Sequence, residues 1–292
     1  MKRQGIDIKK IIKKKIEIRH NKLVTIDRNS LLSEPQIPSS AKPIKVSLSK
    51  NEARMLEKVG RVELLFEPRK KINVIISAYR AVDFIEECLN SIQNQTQSCD
   101  KILLGIDGCA ETLSKVIEIG DKYSNLEIYF SAKNKGPYQM FNALAELVPD
   151  DEYMQRFDAD DVMNLNMLEQ MSKYNIPVVS RNDGVLFIKK ETFKKIGGFR
   201  GWRCAADSDM IFRLGKLLNT KIARAPQYFF RREHAGQLTK LSKTNHKSKL
   251  RKQYIAIYEE NKKSLNPDIY IEPICSKIVR IIINKKENLE EI

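Results

Sequence analysis

The sequence predicts an α/β fold built on a mainly parallel sheet, and two observations carry that expectation. From Lys71 onward, short apolar runs of strand length alternate with segments whose apolar residues recur at helical spacing. This strand-then-helix unit repeats at least three times, the pattern of βα units feeding a parallel sheet.

In order, Asn73 to Ser77 reads as a buried strand, followed by Val82, Ile85, Leu89 and Ile92 on one helical face. Lys101 to Ile106 is the next strand, and Leu113, Val116, Ile117 and Tyr123 stripe the helix after it. Leu126 to Phe130 forms a third strand, then Met140, Leu144 and Leu147 stripe a helix, and Tyr153 to Phe157 forms a fourth strand. Open α/β sheets bind ligands beyond the carboxyl ends of their strands, so the loops at Ser77, Asp107 and Asp158 are expected on one rim.

The 292 residues are expected to divide into a basic N-terminal extension and linker (1–70), a catalytic domain (71–239) and a basic, helical C-terminal region (240–292). Pro35, Pro38, Ser39, Ser40 and Pro43 mark the linker, and helix signals return from Lys50 to Val59. Hydrophobic residues make up 42% and charged residues 30%, which excludes general disorder.

The net charge of +15 is concentrated in two places. Residues 1–30 hold ten Lys/Arg against three Asp/Glu, and residues 231–255 hold eight against one, so together they supply +14. Such flanks either attract phosphate, of an anionic lipid or of nucleic acid, or are simply solvated ends. Cys88, Cys99, Cys109, Cys204 and Cys275 are odd in number and form no CxxC pair, which fits reduced thiols better than a disulfide framework or a zinc site. No apolar stretch reaches the roughly 18 residues of a spanning helix, and lysines stand where a signal peptide needs an apolar centre. A cytoplasmic location is therefore expected, with the basic flanks able to rest on the inner membrane surface.

The residues that promise chemistry begin with Phe157-Asp158-Ala159-Asp160-Asp161. Carboxylates this close repel one another, which calls for a cation or for a helix start capped by Asp161. Magnesium and manganese prefer oxygen ligands and take one or two carboxylates plus phosphate oxygens, so Asp158 and Asp160 suit Mn2+ or Mg2+. Asp107 either accepts hydrogen bonds from a nucleobase imide or ribose hydroxyl, or serves as a turn residue before Gly108. Gly136-Pro137 fits a tight turn with proline at the first helical position, and the helix start it creates can face a diphosphate. Asp207 and Asp209 precede the apolar stripe Met210, Phe212, Leu214 and Leu217, so either is an N-cap or a functional acid. Trp202 lies just before them, placed to stack on a sugar or base or to pin its loop.

Taken together, residues 71–239 resemble the family 2 glycosyltransferases of the GT-A fold. Asn73-Val74-Ile75-Ile76-Ser77-Ala78-Tyr79-Arg80 is similar to the family's first strand and donor-binding turn. Leu103-Leu104-Gly105-Ile106-Asp107-Gly108 is similar to its nucleobase-contacting motif, and Asn134-Lys135-Gly136-Pro137 with Asn142 to the segment after its third strand. Asp158-Ala159-Asp160-Asp161 stands where the family keeps its metal motif, and Gly197-Gly198-Phe199 with Ala206-Asp207-Ser208-Asp209 resembles the segment ending in the catalytic base. Arg232-Glu233-His234 resembles a late Arg-x-His element that reaches the donor phosphates or the metal. Arg80, Ile106 and Ala206 depart from the family pattern, in which Asn, Asp and Glu respectively are common.

The resemblance implies Ser77, Tyr79, Asp107, Gly136, Asp158 and Arg232 as donor-binding residues, and Asp158, Asp160 and His234 as metal ligands. It implies Asp207 as catalytic base and Trp202 and Asp209 on the acceptor side. The expected activity is metal-dependent, inverting transfer of a sugar from a nucleotide-diphosphate donor, a UDP-sugar first, to a hydroxyl of a surface glycan or lipid-linked saccharide. A hydroxymethylated base in DNA is the alternative acceptor, and a non-catalytic nucleic-acid-binding protein is the rival of another class. The first βα turn lacks GxGxxG and no GxxxxGK[ST] occurs, which disfavours dinucleotide-dependent oxidoreductases and P-loop enzymes.

Overall fold

The computed structural model describes residues 24–26, 62–64, 69–180, 186–217, 219, 221–264, 279–281 and 290–291. The linker expected from 30 to 43, the helix expected from 50 to 59 and much of the tail beyond 264 lie outside the described residues. The chain divides into two compact units, Met1–Lys70 and Lys71–Ile292. In the first unit β1 (Val24–Ile26) and β2 (Val62–Leu64) pair antiparallel, with Thr25 opposite Glu63.

The second unit is built on the four expected strands, each within a residue of its expected ends. They are β3 (Ile72–Ala78), β4 (Lys101–Asp107), β5 (Leu126–Ser131) and β6 (Tyr153–Asp158), all parallel, in the spatial order β5-β4-β3-β6. Between them run α1 (Ile85–Gln93), α2 (Ala110–Ile119) and α3 (Pro137–Ala145). After β6 come β7 (Val162–Met163), α4 (Met167–Ser172), β8 (Val178–Ser180), β9 (Leu186–Lys189) and α5 (Lys190–Lys195). The chain continues through α6 (Ala206–Leu217), β10 (Ala223–Ala225), β11 (Phe229–Phe230), α7 (Lys249–Ser264), β12 (Val279–Ile281) and β13 (Glu290–Glu291).

The sheet of nine strands runs β10-β8-β9-β6-β3-β4-β5-β12-β13, parallel at its centre and antiparallel where β9 meets β6 and where β12 meets β5. The C-terminal region, expected to be helical, thus contributes a helix and the two outermost strands on one side of the sheet.

Successive side chains of a strand point to opposite faces, and each face of this sheet has its own apolar core. Ile72, Val74 and Ile76 of β3 pack with Ile85, Leu89 and Ile92 of α1 and Val116 of α2. Ile75, between them in sequence, packs on the other face with Phe141 and Leu144 of α3 and Met210 and Leu214 of α6. Coverage on both faces explains why β3 is apolar almost throughout instead of alternating. Burying each such Ile, Leu or Phe contributes about 1.5–3 kcal/mol. Gly105 of β4 lets α3 approach this closely, because a Cβ there would run into the side chain of Met140.

Each of the three expected helical stripes runs past its helix, with Val82, Tyr123 and Leu147 lying outside α1, α2 and α3. Val82 precedes α1 and is exposed, and Ile117 points to solvent from α2. A helix of nine or ten residues against a sheet needs only its innermost stripe covered, so apolar residues at the stripe's margin stay wet. The helix expected after Asp209 begins instead at Ala206, which places Asp207 and Asp209 inside its first turn.

Candidate active site

The order β5-β4-β3-β6 reverses direction beside β3: the chain moves outward through β4 and β5, then crosses back to β6 on the other side. A crevice opens at such a reversal, outside the carboxyl ends of the two diverging strands. Here those ends are Ser77 of β3 and Asp158 of β6, which lie opposite one another in the ladder.

On the β3 side the backbone turns sharply. Arg80 has φ of 52°, in the left-handed region that side chains rarely occupy, and the turn is pinned where the Ala81 N–H donates to Thr112 Oγ1 at 3.1 Å. Tyr79 is 45% exposed at the rim, with the Arg80 guanidinium 5.2 Å from its ring centre.

On the β6 side the chain makes a tight acidic turn, closed by the Asp161 N–H donating to the Asp158 carbonyl at 3.3 Å. No helix starts at Asp161. The chain instead enters β7, which pairs antiparallel with β11, Met163 opposite Phe229. This short ladder brings residues 231–236 back over the acidic turn. The Arg232 N–H donates to Asp161 Oδ1 at 3.2 Å, its Nε donates to the Asp160 carbonyl at 3.3 Å, and its guanidinium is hydrogen-bonded to Glu87 of α1. His234 Nε2 lies 2.8 Å from Asp160 Oδ2, its ring packed on Phe84. The Gly236 N–H donates to Nδ1 at 3.2 Å, an arrangement that puts the ring proton on Nε2, facing the carboxylate.

The three acids differ in their surroundings. Asp161 is only 3% exposed, and burial together with repulsion from Asp158 and Asp160 pushes its carboxyl up to about 8. Burial also raises Asp158, opposed by the Arg156 guanidinium, whose Nη2 donates to Asp158 Oδ1 at 2.9 Å. Among the described residues no three His, Cys, Asp or Glu side chains stand in a ready-made metal cluster. The donor set nevertheless fits a hard divalent cation. Magnesium and manganese at phosphate sites take one or two protein carboxylates and complete their shell with phosphate and water, and a cation also relieves the repulsion among neighbouring carboxylates.

At the β4 end, Asp107 is 1% exposed and both its oxygens are engaged: Lys135 N–H donates to Oδ1 at 2.7 Å and Gly136 N–H to Oδ2 at 2.8 Å. Both oxygens are spent inside the fold, a role that neither a nucleobase contact nor a turn before Gly108 describes. Asp107 fastens the loop before α3, where Gly136 adopts φ of 98° and where a Cβ would press on Arg203. The Arg203 guanidinium in turn donates to the Asn134 carbonyl at 3.0 Å.

Asp207 lies half-buried in the first turn of α6, and its charge acts on Tyr138, Arg156 and Asp158, so the start of α6 stands near the acidic turn. Asp209 does not reach the rim. It is fully buried, with Arg213 Nε 2.8 Å from Oδ2 and Arg200 Nε 2.9 Å from Oδ1, and Arg213 also bonds the carbonyls of Ile196 and Gly198. Its expected acceptor role gives way to that of a tie between α6 and the Gly197-Gly198 turn. Trp202 stacks on Tyr254 of α7 with ring centres 4.8 Å apart and planes 6° apart, and Arg200 lies 5.2 Å from its ring centre. One indole face is thereby committed to the protein, which favours the pinning role over stacking on a ligand.

Sequence reasoning missed Arg156, Arg203 and the Glu87-Phe84 seat of Arg232 and His234. Arg156 carried a visible signal: a cation inside an otherwise apolar strand is rarely buried without a partner. The other contacts join distant segments and left no local trace.

Residues 73–175 match the Glycosyl transferase family 2 model. An uncharacterized glycosyltransferase of Rickettsia bellii is 30% identical over 104 residues, which cover 36% of this chain and 15% of that protein. Another from Haemophilus influenzae is 30% identical over 115 residues, covering 39% and 34% respectively. The chain therefore matches well under half the length of these relatives. Among solved structures, a mannosyltransferase from Pyrobaculum calidifontis, in complex with GDP-Man and Mn2+, superposes with a TM-score of 0.54 at 14% identity, over 71% of this chain and 67% of that one. S. aureus TarS, in complex with UDP-GlcNAc, gives a TM-score of 0.49 at 17% identity, over 57% and 60%. The α/β sheet flanked by helices is thus the GT-A fold.

Proposed function

We propose that this chain transfers a sugar from a nucleoside-diphosphate donor to an acceptor hydroxyl, with a divalent cation and with inversion at the anomeric carbon. The observation that carries this reading is the acidic turn Asp158–Asp161 at the sheet's reversal point, roofed by Arg232 and His234. The family match of residues 73–175 supports it, and so does the Mn2+ bound with GDP-Man in the superposing mannosyltransferase.

In this reading Ser77, Tyr79 and the backbone at Gly136 line the nucleotide, and Arg232 faces the diphosphate. Asp158 and Asp160, with His234 beside them, hold Mn2+ or Mg2+, which when bound neutralises charge developing on the leaving diphosphate. Asp207 takes the proton from the acceptor hydroxyl as that oxygen attacks the anomeric carbon from the side opposite the leaving group. A single displacement inverts the centre. Asp107 acts indirectly, by fixing the loop that carries Gly136.

For the donor we propose a UDP-sugar, and for the acceptor a surface glycan or lipid-linked saccharide, approached along the basic segment 231–255 from the cytoplasmic membrane face. Among the described residues no helix is long and apolar enough to cross a membrane. A panel of nucleotide sugars with manganese, monitored for nucleoside diphosphate release with and without glycan or duplex DNA acceptors, tests the proposal. Acceptor-stimulated release that needs Asp207 is expected. Absence of release from every donor, or pyrophosphate released from a nucleoside triphosphate, would overturn it.

A further inference from the structure

Arg156 occupies an unusual place for a cation. It sits on β6, two residues before Asp158 and so on the same face of the strand, with its side chain 7% exposed. Its guanidinium carbon lies 4.6 Å from the ring centre of Phe141, 5.8 Å from that of Tyr138 and 5.9 Å from that of Phe199. Tyr138 and Phe141 belong to α3, and Phe199 to the turn that Arg213 fastens to α6. The guanidinium is thus enclosed by rings from the donor-side helix and from the acceptor-side turn. Out of this enclosure one nitrogen reaches Asp158 Oδ1 at 2.9 Å, while a third of the Asp158 side chain stays exposed at the rim.

A buried guanidinium is expensive unless paired, and a hydrophobic residue would fill the same space with less desolvation. Packing alone therefore does not account for it. A planar donor group held between rings has little rotational freedom, so the carboxylate it grips is fixed as well. With Oδ1 held in this way, the Asp158 carboxylate keeps one orientation while part of it stays exposed at the rim.

We propose that Arg156 is a positioning residue for sugar transfer: it locks the rotamer of Asp158, directs one carboxylate oxygen to the donor site, and couples that site to the α6 turn bearing Asp207. The inference rests on the reading of Asp158 as a donor-side ligand. Its two components separate experimentally, because Arg156 orders Asp158 yet, as a nearby positive charge, opposes cation binding.

The test compares Arg156→Met, which keeps bulk, with Arg156→Lys, which keeps charge. Manganese alone is titrated by electron paramagnetic resonance, and nucleoside diphosphate release is measured in parallel. For Arg156→Met, manganese binding is expected to tighten about threefold or more through loss of the opposing charge. Its kcat is expected to fall about a hundredfold, the scale of a misplaced reacting group. Arg156→Lys should bind manganese as the parent does and recover turnover to within about tenfold. Equal losses of manganese binding and turnover would make the residue merely structural, and turnover within twofold of the parent would remove the positioning role. Should Arg156→Met fail to fold, Arg156→Lys decides alone: a kcat no better than that of Asp158→Asn overturns the proposal. If the parent protein releases no nucleoside diphosphate from any donor, the functional reading has failed, and the manganese titration still reports whether Arg156 and Asp158 are coupled.

Discussion

Asp209, in Asp207-Ser208-Asp209, and the acidic turn Asp158–Asp161 both belong to runs of acids spaced by a small residue, yet the molecule treats them in opposite ways. Asp209 is fully enclosed and has a guanidinium on each oxygen. In the turn, Asp158 meets Arg156 through one oxygen and Asp160 meets His234 through one, and both stay partly exposed, whereas Asp161 is buried against the Arg232 amide. A carboxylate with both oxygens spent inside the fold holds the chain together. One with half its capacity unspent at a crevice, pressed by like charges, is ready for a ligand.

The largest effect expected from that contrast is on turnover. Asp160→Ala should reduce nucleoside diphosphate release at least about a thousandfold, the several kcal/mol a bound cation supplies, while circular dichroism and melting temperature stay close to the parent. Unchanged release under saturating manganese would break the comparison. Next comes Asp207→Asn, for which kcat should drop about a hundredfold or more with binding of UDP and manganese preserved. A loss of UDP binding instead would move Asp207 to the donor side.

Asp209→Ala tests the other half. It leaves Arg200 and Arg213 buried without their shared partner, and denaturant unfolding should register about 3–5 kcal/mol of lost stability. A stable but inactive variant would show that Asp209 belongs with the functional acids. The smallest effect concerns pH. Asp161 stays protonated in the folded protein up to about 8, whereas the unfolded chain releases that proton near 3.8. Its contribution to stability is therefore complete below about 3.8 and is lost as pH rises toward 8. Metal-free protein should show melting temperatures that decline across this window, and Asp161→Asn should flatten the decline.

Strand positions were legible because β3 to β6 are buried on both faces, which writes an apolar run directly into the sequence. The rim was legible for the same reason, since Ser77, Asp107 and Asp158 each end such a run. Less accessible was which way a rim residue points. Asp107 turns inward to two amides, Asp209 to two arginines and Trp202 to Tyr254, and each of those partners lies four or more residues away in the chain. Arg213 lies one helical turn from Asp209, a local pairing, but the other partners depend on tertiary geometry that no local pattern encodes. Arg156 is the exception that a closer reading would have caught, being a charge where the strand's own logic asks for an apolar residue.

The two-residue ladder between β7 and β11 joins Met163 to Phe229 across a long excursion of the chain. The matched family segment ends at residue 175, so it contains every acid of the turn and none of the cations that roof it. On the ribosome, the sheet's centre can assemble well before those cations emerge, and the crevice stays open on one side until β11 docks. A protein shortened ahead of β11 would keep the acids of the turn and lose Arg232 and His234, the side chains folded over them.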